Sequence, residues 1–166
     1  MGKSRKKVPK RAVARAAWTS TGKGYRVPAK ATELSNNPND RKVTFRFDCV
    51  DLENGCPWSM ASMSEEDHRL LLEKLKEFER MTAAEIRRQD GCFKLYPDFT
   101  QCPNREPLDR LNELYVNDNG EIFEDVIGRF RLNGKIRLYG FLRGHEFHIL
   151  WWDRNHEVWP SRKKHT

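Results

Sequence analysis

The C-terminal part of the chain restricts the fold most, because apolar and polar side chains alternate there between two glycine-containing turns. The dipeptides Asn133-Gly134 and Gly144-His145 are both typical of hairpin turns. Between and beside them, three segments show the period of two that β-strands produce, namely 127–132, 136–143 and 146–153. The sequence therefore predicts an antiparallel β-meander.

The register of this meander decides which side chains share a face. A three-residue loop around Gly134 pairs Leu132 with Ile136 and Phe130 with Leu138, and it leaves one face wholly apolar. A two-residue loop mixes apolar and charged residues on both faces, so we predict the longer loop. The predicted core face consists of Phe130, Leu132, Ile136, Leu138, Leu142, Phe147, Ile149 and Trp151.

The opposite face combines basic and aromatic side chains. In the predicted register Arg131 lies opposite Arg137, and Arg137 lies opposite Trp152. Like charges in such positions repel unless an anion lies between them, and guanidinium groups bind phosphate while aromatic rings stack on bases. This face is either a nucleic-acid surface or a second apolar layer covered by residues 92–125. Its members are Arg129, Arg131, Arg137, Tyr139, Phe141, His148, Leu150 and Trp152.

A strand and two helices are predicted before the meander. Residues 43–49 alternate apolar with polar side chains and indicate a half-buried strand. Ser64 is a typical N-cap for a helix that runs to about Arg80, with an apolar side that includes Leu72. Thr82 with Glu85 three residues later forms a capping box for a second helix, ending near Asp90-Gly91.

The fold class that follows is α+β, with an N-terminal strand and helical hairpin packed on a C-terminal antiparallel meander. A single domain is predicted over residues 41–161. A further helix is predicted near 108–114, and a turn at 117–120.

Charge is distributed unevenly along the chain. Residues 1–32 contain ten Lys or Arg and no acid, residues 33–125 have a net charge of −9, and residues 126–166 have one of +6. This predicts a disordered basic arm at 1–40, a basic tail at 162–166 and a polyanionic or acidic partner. No apolar run reaches the roughly 18 residues of a membrane span, and no signal-peptide pattern is present, so a cytoplasmic protein is expected.

The four cysteines lack the CxxC spacing of a zinc knuckle. They stand at Cys49, Cys56, Cys92 and Cys102, and reduced thiols are expected. Neither a metal nor a cofactor is predicted, although a metal site assembled in space from these four cysteines stays an open alternative.

A short polar and aromatic hook, residues 153–159, follows the last strand. His156 lies there between Asp153, Arg154 and Glu157, and histidine titrates close to neutrality. Two roles are open for it, a hydrogen bond within the turn or proton transfer.

The order of strand, helical hairpin, curled meander and hook resembles the RelE/ParE toxin superfamily. Residues 128–140 (GRFRLNGKIRLYG) look like that family's basic strand, glycine turn and R-L-Y strand. Residues 149–159 (ILWWDRNHEVW) are similar to its last apolar strand and its Arg/His plus aromatic ending. The chain departs from the family in its arm, in residues 92–125 and in Trp159, where the family often has tyrosine.

The resemblance implies a metal-independent endoribonuclease of a toxin–antitoxin, phage or plasmid system that cleaves ribosome-bound mRNA. A ribose 2′-hydroxyl would attack the adjacent phosphate, Arg131 and Arg137 would stabilise the added charge, and His156, or less readily His148, would move protons. An acidic antitoxin protein would cover the basic face. The alternative is a non-catalytic nucleic-acid- or protein-binding module. Nucleic acid would be bound by Arg129, Lys135, Tyr139, Trp152, Arg154 and Trp159.

Deleting residues 1–30 should flatten the salt dependence of RNA or DNA binding. The ten basic residues release counterions when they contact phosphates, so their loss lowers the slope of log K against log salt. The slope is measured by fluorescence anisotropy at several salt concentrations. An unchanged slope would contradict a polyanion-binding role for the arm.

Overall fold

A computed structural model describes residues 37–115 and 126–161. The predicted arm up to residue 36, the turn at 117–120 and the tail at 162–166 lie outside the described residues. Within them the chain forms three α-helices and a five-stranded, mostly antiparallel sheet, so the predicted α+β class is confirmed. Over the described ranges, no helix has both the length and the apolar character needed to cross a membrane.

The sheet has the strand order β1-β5-β4-β3-β2, and only the pairing of β1 with β5 is parallel. Single 3₁₀ turns occur at Pro38–Asp40, Met60–Ser62 and Phe99–Gln101. The helices and strands are β1 (Thr44–Arg46), α1 (Glu65–Phe78), α2 (Ala83–Arg88), β2 (Phe93–Tyr96), α3 (Glu106–Tyr115), β3 (Ile127–Asn133), β4 (Ile136–Arg143) and β5 (Glu146–Asp153).

Both predicted N-caps are confirmed. The Ser64 hydroxyl accepts a hydrogen bond from the backbone N–H of Asp67, which satisfies one of the free donors at the start of α1. Thr82 and Glu85 form the reciprocal capping box of α2. The helices end earlier than predicted, at Phe78 and Arg88.

The first core lies between the sheet and helices α1 and α2. Phe130 is fully buried at its centre, and its ring lies 4.5 Å from that of Phe78, 4.7 Å from Phe93 and 4.8 Å from Phe147 between centroids. Leu138 and Ile149 are fully buried in the same cluster, as the alternation predicted. Phe47 and Leu72, which the periodicity predicted to be on the buried side of their elements, are instead exposed to solvent.

A second core covers most of the opposite face. The segment 92–125 contributes Tyr96, Phe99 and Leu111, which pack on side chains from β4 and β5. The predicted alternative of a second apolar layer is therefore confirmed for this part of the sheet. Strand β2, which was not predicted, forms the edge of the sheet beside β3. The sheet side chains in this core are Ile127, Tyr139, Phe141, Leu150 and Trp151.

Two β-bulges correct the predicted register. At the first hairpin a two-residue turn follows Asn133, which pairs with Ile136, so the predicted Leu132–Ile136 pair is wrong. Leu132 is the extra residue, and the pairing of Phe130 with Leu138 is nevertheless as predicted.

In β5 the extra residue is Leu150, because Gly140 pairs with Ile149 while Tyr139 pairs with Trp151. Trp151 therefore packs in the second core and Trp152 in the first, the reverse of the prediction. Because of the same shift, Arg137 lies opposite Asp153 and not opposite Trp152.

Replacing Gly140 with alanine should destabilise the protein. A Cβ at this position would lie 2.7 Å from the Phe147 ring and would also collide with the His148 carbonyl, so β5 must shift. Overpacking of this kind costs about 1–3 kcal/mol in the free energy of unfolding. Urea denaturation measures it, with Gly55→Ala as the control because nothing lies within 4 Å of a Cβ there. Equal stability of the two variants would contradict this close approach of β4 and β5.

Candidate nucleic-acid interface

Basic side chains gather at one end of the second face, where the second core stops. Lys94 of β2 pairs with Arg129 of β3. Arg131 pairs with Arg137 of β4, as predicted. The alternation of the strands places all four on the same face. Asp153 of β5 completes the row beside Arg137.

The hook, residues 153–159, folds back over this basic end because the buried Asp153 carboxylate holds it. One carboxylate oxygen accepts the backbone N–H of Glu157 at 2.9 Å, and the other accepts that of Val158 at 3.0 Å. From the other side, the Cys102 thiol donates to the Val158 carbonyl, and the Asn104 amide donates to that of Glu157. The hook is thereby fixed to both the sheet and the segment after Phe99–Gln101.

A cleft of about 400 Å³ lies between the hook and the basic end of the sheet. Arginine, lysine, histidine and aromatic side chains line it, and it contains no carboxylate among its lining residues within the described ranges. The lining residues are Lys94, Tyr96, Gln101, Pro103, Arg129, His156, Trp159, Pro160 and Ser161.

His156 has a left-handed backbone conformation, with φ of 65°. Histidine adopts this region more readily than most residues, but such outliers concentrate at functional sites. Burial, and then repulsion from Arg137, lower the pKa of His156 from its ordinary value of 6.5, and Asp153 opposes the shift. The imidazole is therefore predominantly neutral at pH 7 and available to accept a proton.

Among the described residues, the arginines beside it form no ion pair with a carboxylate within 4.0 Å. Arg137 is only 6% exposed, and its Nη1 donates to the carbonyls of Gly134 and Ile136. The Nε atoms of Arg129 and Arg137 are buried and have no hydrogen-bond partner in the part of the chain that the structure describes. Burial, and then repulsion from Arg129 and Arg131, lower the pKa of Arg137. These features are typical of a site that accepts an anion.

Trp159 supplies an aromatic surface at the cleft. Its ring stacks on Tyr96 with centroids 4.2 Å apart and an angle of 28° between the planes, and it makes an edge contact with Phe99 at 5.4 Å. The indole is half-buried, so part of it stays accessible from the cleft.

The other predicted nucleic-acid-binding residues lie in different surroundings. Tyr139 is fully buried in the second core beside Tyr96, and its hydroxyl has no partner among the described residues. Trp152 packs in the first core, and Arg154 forms an ion pair with Asp67 of α1. Lys135 is exposed in the turn between β3 and β4.

His148, the alternative histidine for proton transfer, lies near the opposite end of β5 from Asp153. Five residues of strand correspond to a separation of about 16 Å, so His148 and His156 belong to different sites. The structure thus brings together Arg129, Arg131, Arg137, His156 and Trp159, with Tyr139 beneath them.

Sequence reasoning missed the contribution of β2 to the cleft. The run Phe93-Lys94-Leu95-Tyr96 alternates apolar with polar or amphipathic side chains, which is the signal that could have indicated a strand. A run of four residues is too short to be recognised as a strand when the strand it pairs with is unknown. Gln101 and Pro103 carry no local signal of their own.

Replacing Arg131 with glutamine should raise the pKa of His156. Arg131 is exposed, so the fold should tolerate the change, and the removal of its positive charge relieves repulsion of the protonated imidazole. NMR titration of the ring protons measures this pKa, which should lie below 6.5 in the unaltered chain. Arg69→Gln on α1 is the control, and an equal shift in both variants would contradict a local effect.

No family model matches the chain, and no curated protein or solved structure shows significant similarity to it.

Proposed function

We propose that the cleft binds single-stranded RNA and cleaves it by attack of a ribose 2′-hydroxyl on the adjacent phosphate, without a metal ion. The observation that carries the proposal is the basic lining of the cleft beside the neutral His156, with buried Nε atoms of Arg129 and of the neighbouring Arg137 that have no hydrogen-bond partner among the described residues. Buried polar groups normally have partners, and a phosphate group supplies acceptors of the right charge and geometry.

The arginines account for charge stabilisation. The attacked phosphate carries an additional negative charge in the transition state, and preorganised donors in a site shielded from water stabilise such charge most. Arg129, Arg131 and Arg137 lie in two adjacent rows of the sheet, and backbone pairing fixes their Cα positions. Little reorganisation is therefore needed when the charge develops.

His156 accounts for proton transfer. Its neutral imidazole takes the proton of the 2′-hydroxyl while that oxygen forms a bond to phosphorus and the bond from phosphorus to the 5′ oxygen breaks. The leaving 5′ oxygen takes a proton from water, and the resulting hydroxide recovers the proton from the imidazolium. The products are a 2′,3′-cyclic phosphate and a 5′-hydroxyl, and no redox change occurs.

Trp159 and the lysines account for substrate binding. Sequence-tolerant recognition of single strands combines a base stacked on an aromatic ring with cations along the backbone. Trp159 offers the ring, while Lys94 lines the cleft and Lys135 extends the basic surface at the neighbouring turn.

The resemblance of residues 127–159 to the RelE/ParE superfamily supports the same proposal and specifies the substrate and a protein partner. On that basis the substrate is mRNA on the ribosome, and an acidic antitoxin protein neutralises the cleft. The basic and carboxylate-free lining of the cleft is compatible with either partner, because both are polyanionic.

A non-catalytic nucleic-acid-binding module is the second candidate. The second core covers most of the aromatic face, so the surface left for RNA is a short cleft and not a whole sheet. A binding module needs only the arginines and Trp159, and it does not need the lowered pKa of His156.

Replacing His156 with asparagine should abolish cleavage and leave binding intact. Asparagine tolerates the left-handed backbone at this position but cannot transfer a proton near neutral pH. We expect cleavage of a fluorescent single-stranded RNA to fall about 100-fold or more in the presence of a chelator, while its Kd stays within about twofold.

Arg129→Gln should instead weaken RNA binding and lower the salt slope by about one. The matched control is Arg69→Gln, because Arg69 is a highly exposed arginine of α1, outside the cleft. If the unaltered chain binds RNA but leaves it whole, the enzymatic proposal fails and the binding module stands. If Arg129→Gln and the control bind RNA equally well, the cleft is not the RNA site.

A further inference from the structure

A second cluster of reactive side chains lies where β1 ends beside the start of β5. Asp48, Cys49 and His148 each offer one ligand atom, and these three atoms lie within 4.8 Å of one another. We propose that they form a binding site for a transition-metal ion of the Zn²⁺ type. This site is separate from the RNA cleft and does not depend on the function proposed there.

The distances suit a metal of this size. Zinc binds sulfur at about 2.3 Å and nitrogen or oxygen at about 2.0–2.2 Å, so neighbouring ligands of a tetrahedral ion lie roughly 3.3–3.8 Å apart. Asp48 Oδ1 and His148 Nδ1 are now 2.8 Å apart, in a hydrogen bond that a bound ion would replace. Because all three ligand atoms already lie within 4.8 Å of one another, side-chain rotations complete the geometry.

The ligand set selects the kind of ion. Thiolate, imidazole and carboxylate together are typical of zinc, whereas magnesium and calcium prefer oxygen alone. The side chain of His148 is only 7% exposed, while that of Asp48 is 52% exposed and leaves an entry path for the ion. Three protein ligands leave a fourth position for water.

The positions of the ligands also suit a shared ion. Asp48 Oδ1 and His148 Nδ1 already share a hydrogen bond, so the two side chains face one another. The Nε2 atom of His148 is buried and has no hydrogen-bond partner in the described ranges, so the ring is held from one side only. The backbone at Cys49 is fixed by the Tyr115 hydroxyl, which donates to its carbonyl at 3.1 Å.

The position of the cluster indicates what the ion does. Strand β1 pairs with β5 over only three residues, from Thr44 with Glu146 to Arg46 with His148. Asp48 and Cys49 follow this short edge strand, which ends at Arg46. An ion shared with His148 therefore ties the segment after β1 to β5.

Cobalt substitution tests the site directly. The full chain is stripped with a chelator and titrated with Co²⁺, which gives a thiolate-to-metal absorption band when a cysteine is a ligand, and Zn²⁺ then displaces it. We expect one ion per chain, and Cys49→Ser should remove the band and weaken Zn²⁺ binding at least about tenfold. The matched control is Cys92→Ser, since Cys92 is half-buried like Cys49 but lies outside the cluster.

Asp48→Asn provides a second variant whose exposed position should leave the fold intact, as thermal melts will show. It should weaken Zn²⁺ binding at least about tenfold if the carboxylate is a ligand. Absence of the thiolate band in the unaltered chain, or its loss to the same degree in Cys92→Ser, overturns the proposal. Unchanged Zn²⁺ affinity in Asp48→Asn does so as well.

Discussion

The extra residue at Leu150 determines how the sheet divides its side chains between two faces. A regular strand would send Trp151 to the first core and Trp152 and Leu150 to the second, with Asp153 among the apolar residues. The bulge sends Leu150 and Trp151 together to the second core and returns Asp153 to the face that carries Arg137. The bulge lies beside the close approach of β4 and β5 at Gly140. The carbonyl of the extra residue, Leu150, accepts a hydrogen bond from the backbone N–H of Asp51.

The position of Asp153 in turn builds the cleft. Its carboxylate holds the hook by two backbone N–H groups, which brings His156 and Trp159 against the basic end of β3 and β4. One buried carboxylate beside three arginines leaves an excess of positive charge at this end of the sheet, which is what the proposed anion site requires. For His156, burial and repulsion from Arg137 outweigh attraction to Asp153, so its pKa is lowered and the imidazole is neutral.

The second core limits how much of the basic face can bind a ligand. Its covering layer is attached through Arg110 of α3, which donates to both carboxylate oxygens of Asp51 at 2.8 and 2.9 Å. Burial opposes the ionisation of Asp51, but the hydrogen bonds from Arg110, the Glu53 amide and the Trp151 indole outweigh it and hold its pKa at about 2. This ion pair joins α3 to the segment that carries Asp51. The predicted apolar layer is therefore present over the middle of this face, and a basic cleft lies at its end.

The sequence by itself determined the elements whose signals are local: the caps at Ser64 and Thr82, the limits of the three C-terminal strands, the burial of Leu138 and Ile149, and the facing arginines Arg131 and Arg137. These follow from periodicity and capping chemistry within a few residues. The assignment of Trp151 and Trp152, the role of β2, and the meeting of Asp48 and Cys49 with His148 were decided only by the tertiary structure. A bulge moves every later residue to the other face, and a short edge strand exists only through its partner, so neither leaves a reliable local signal.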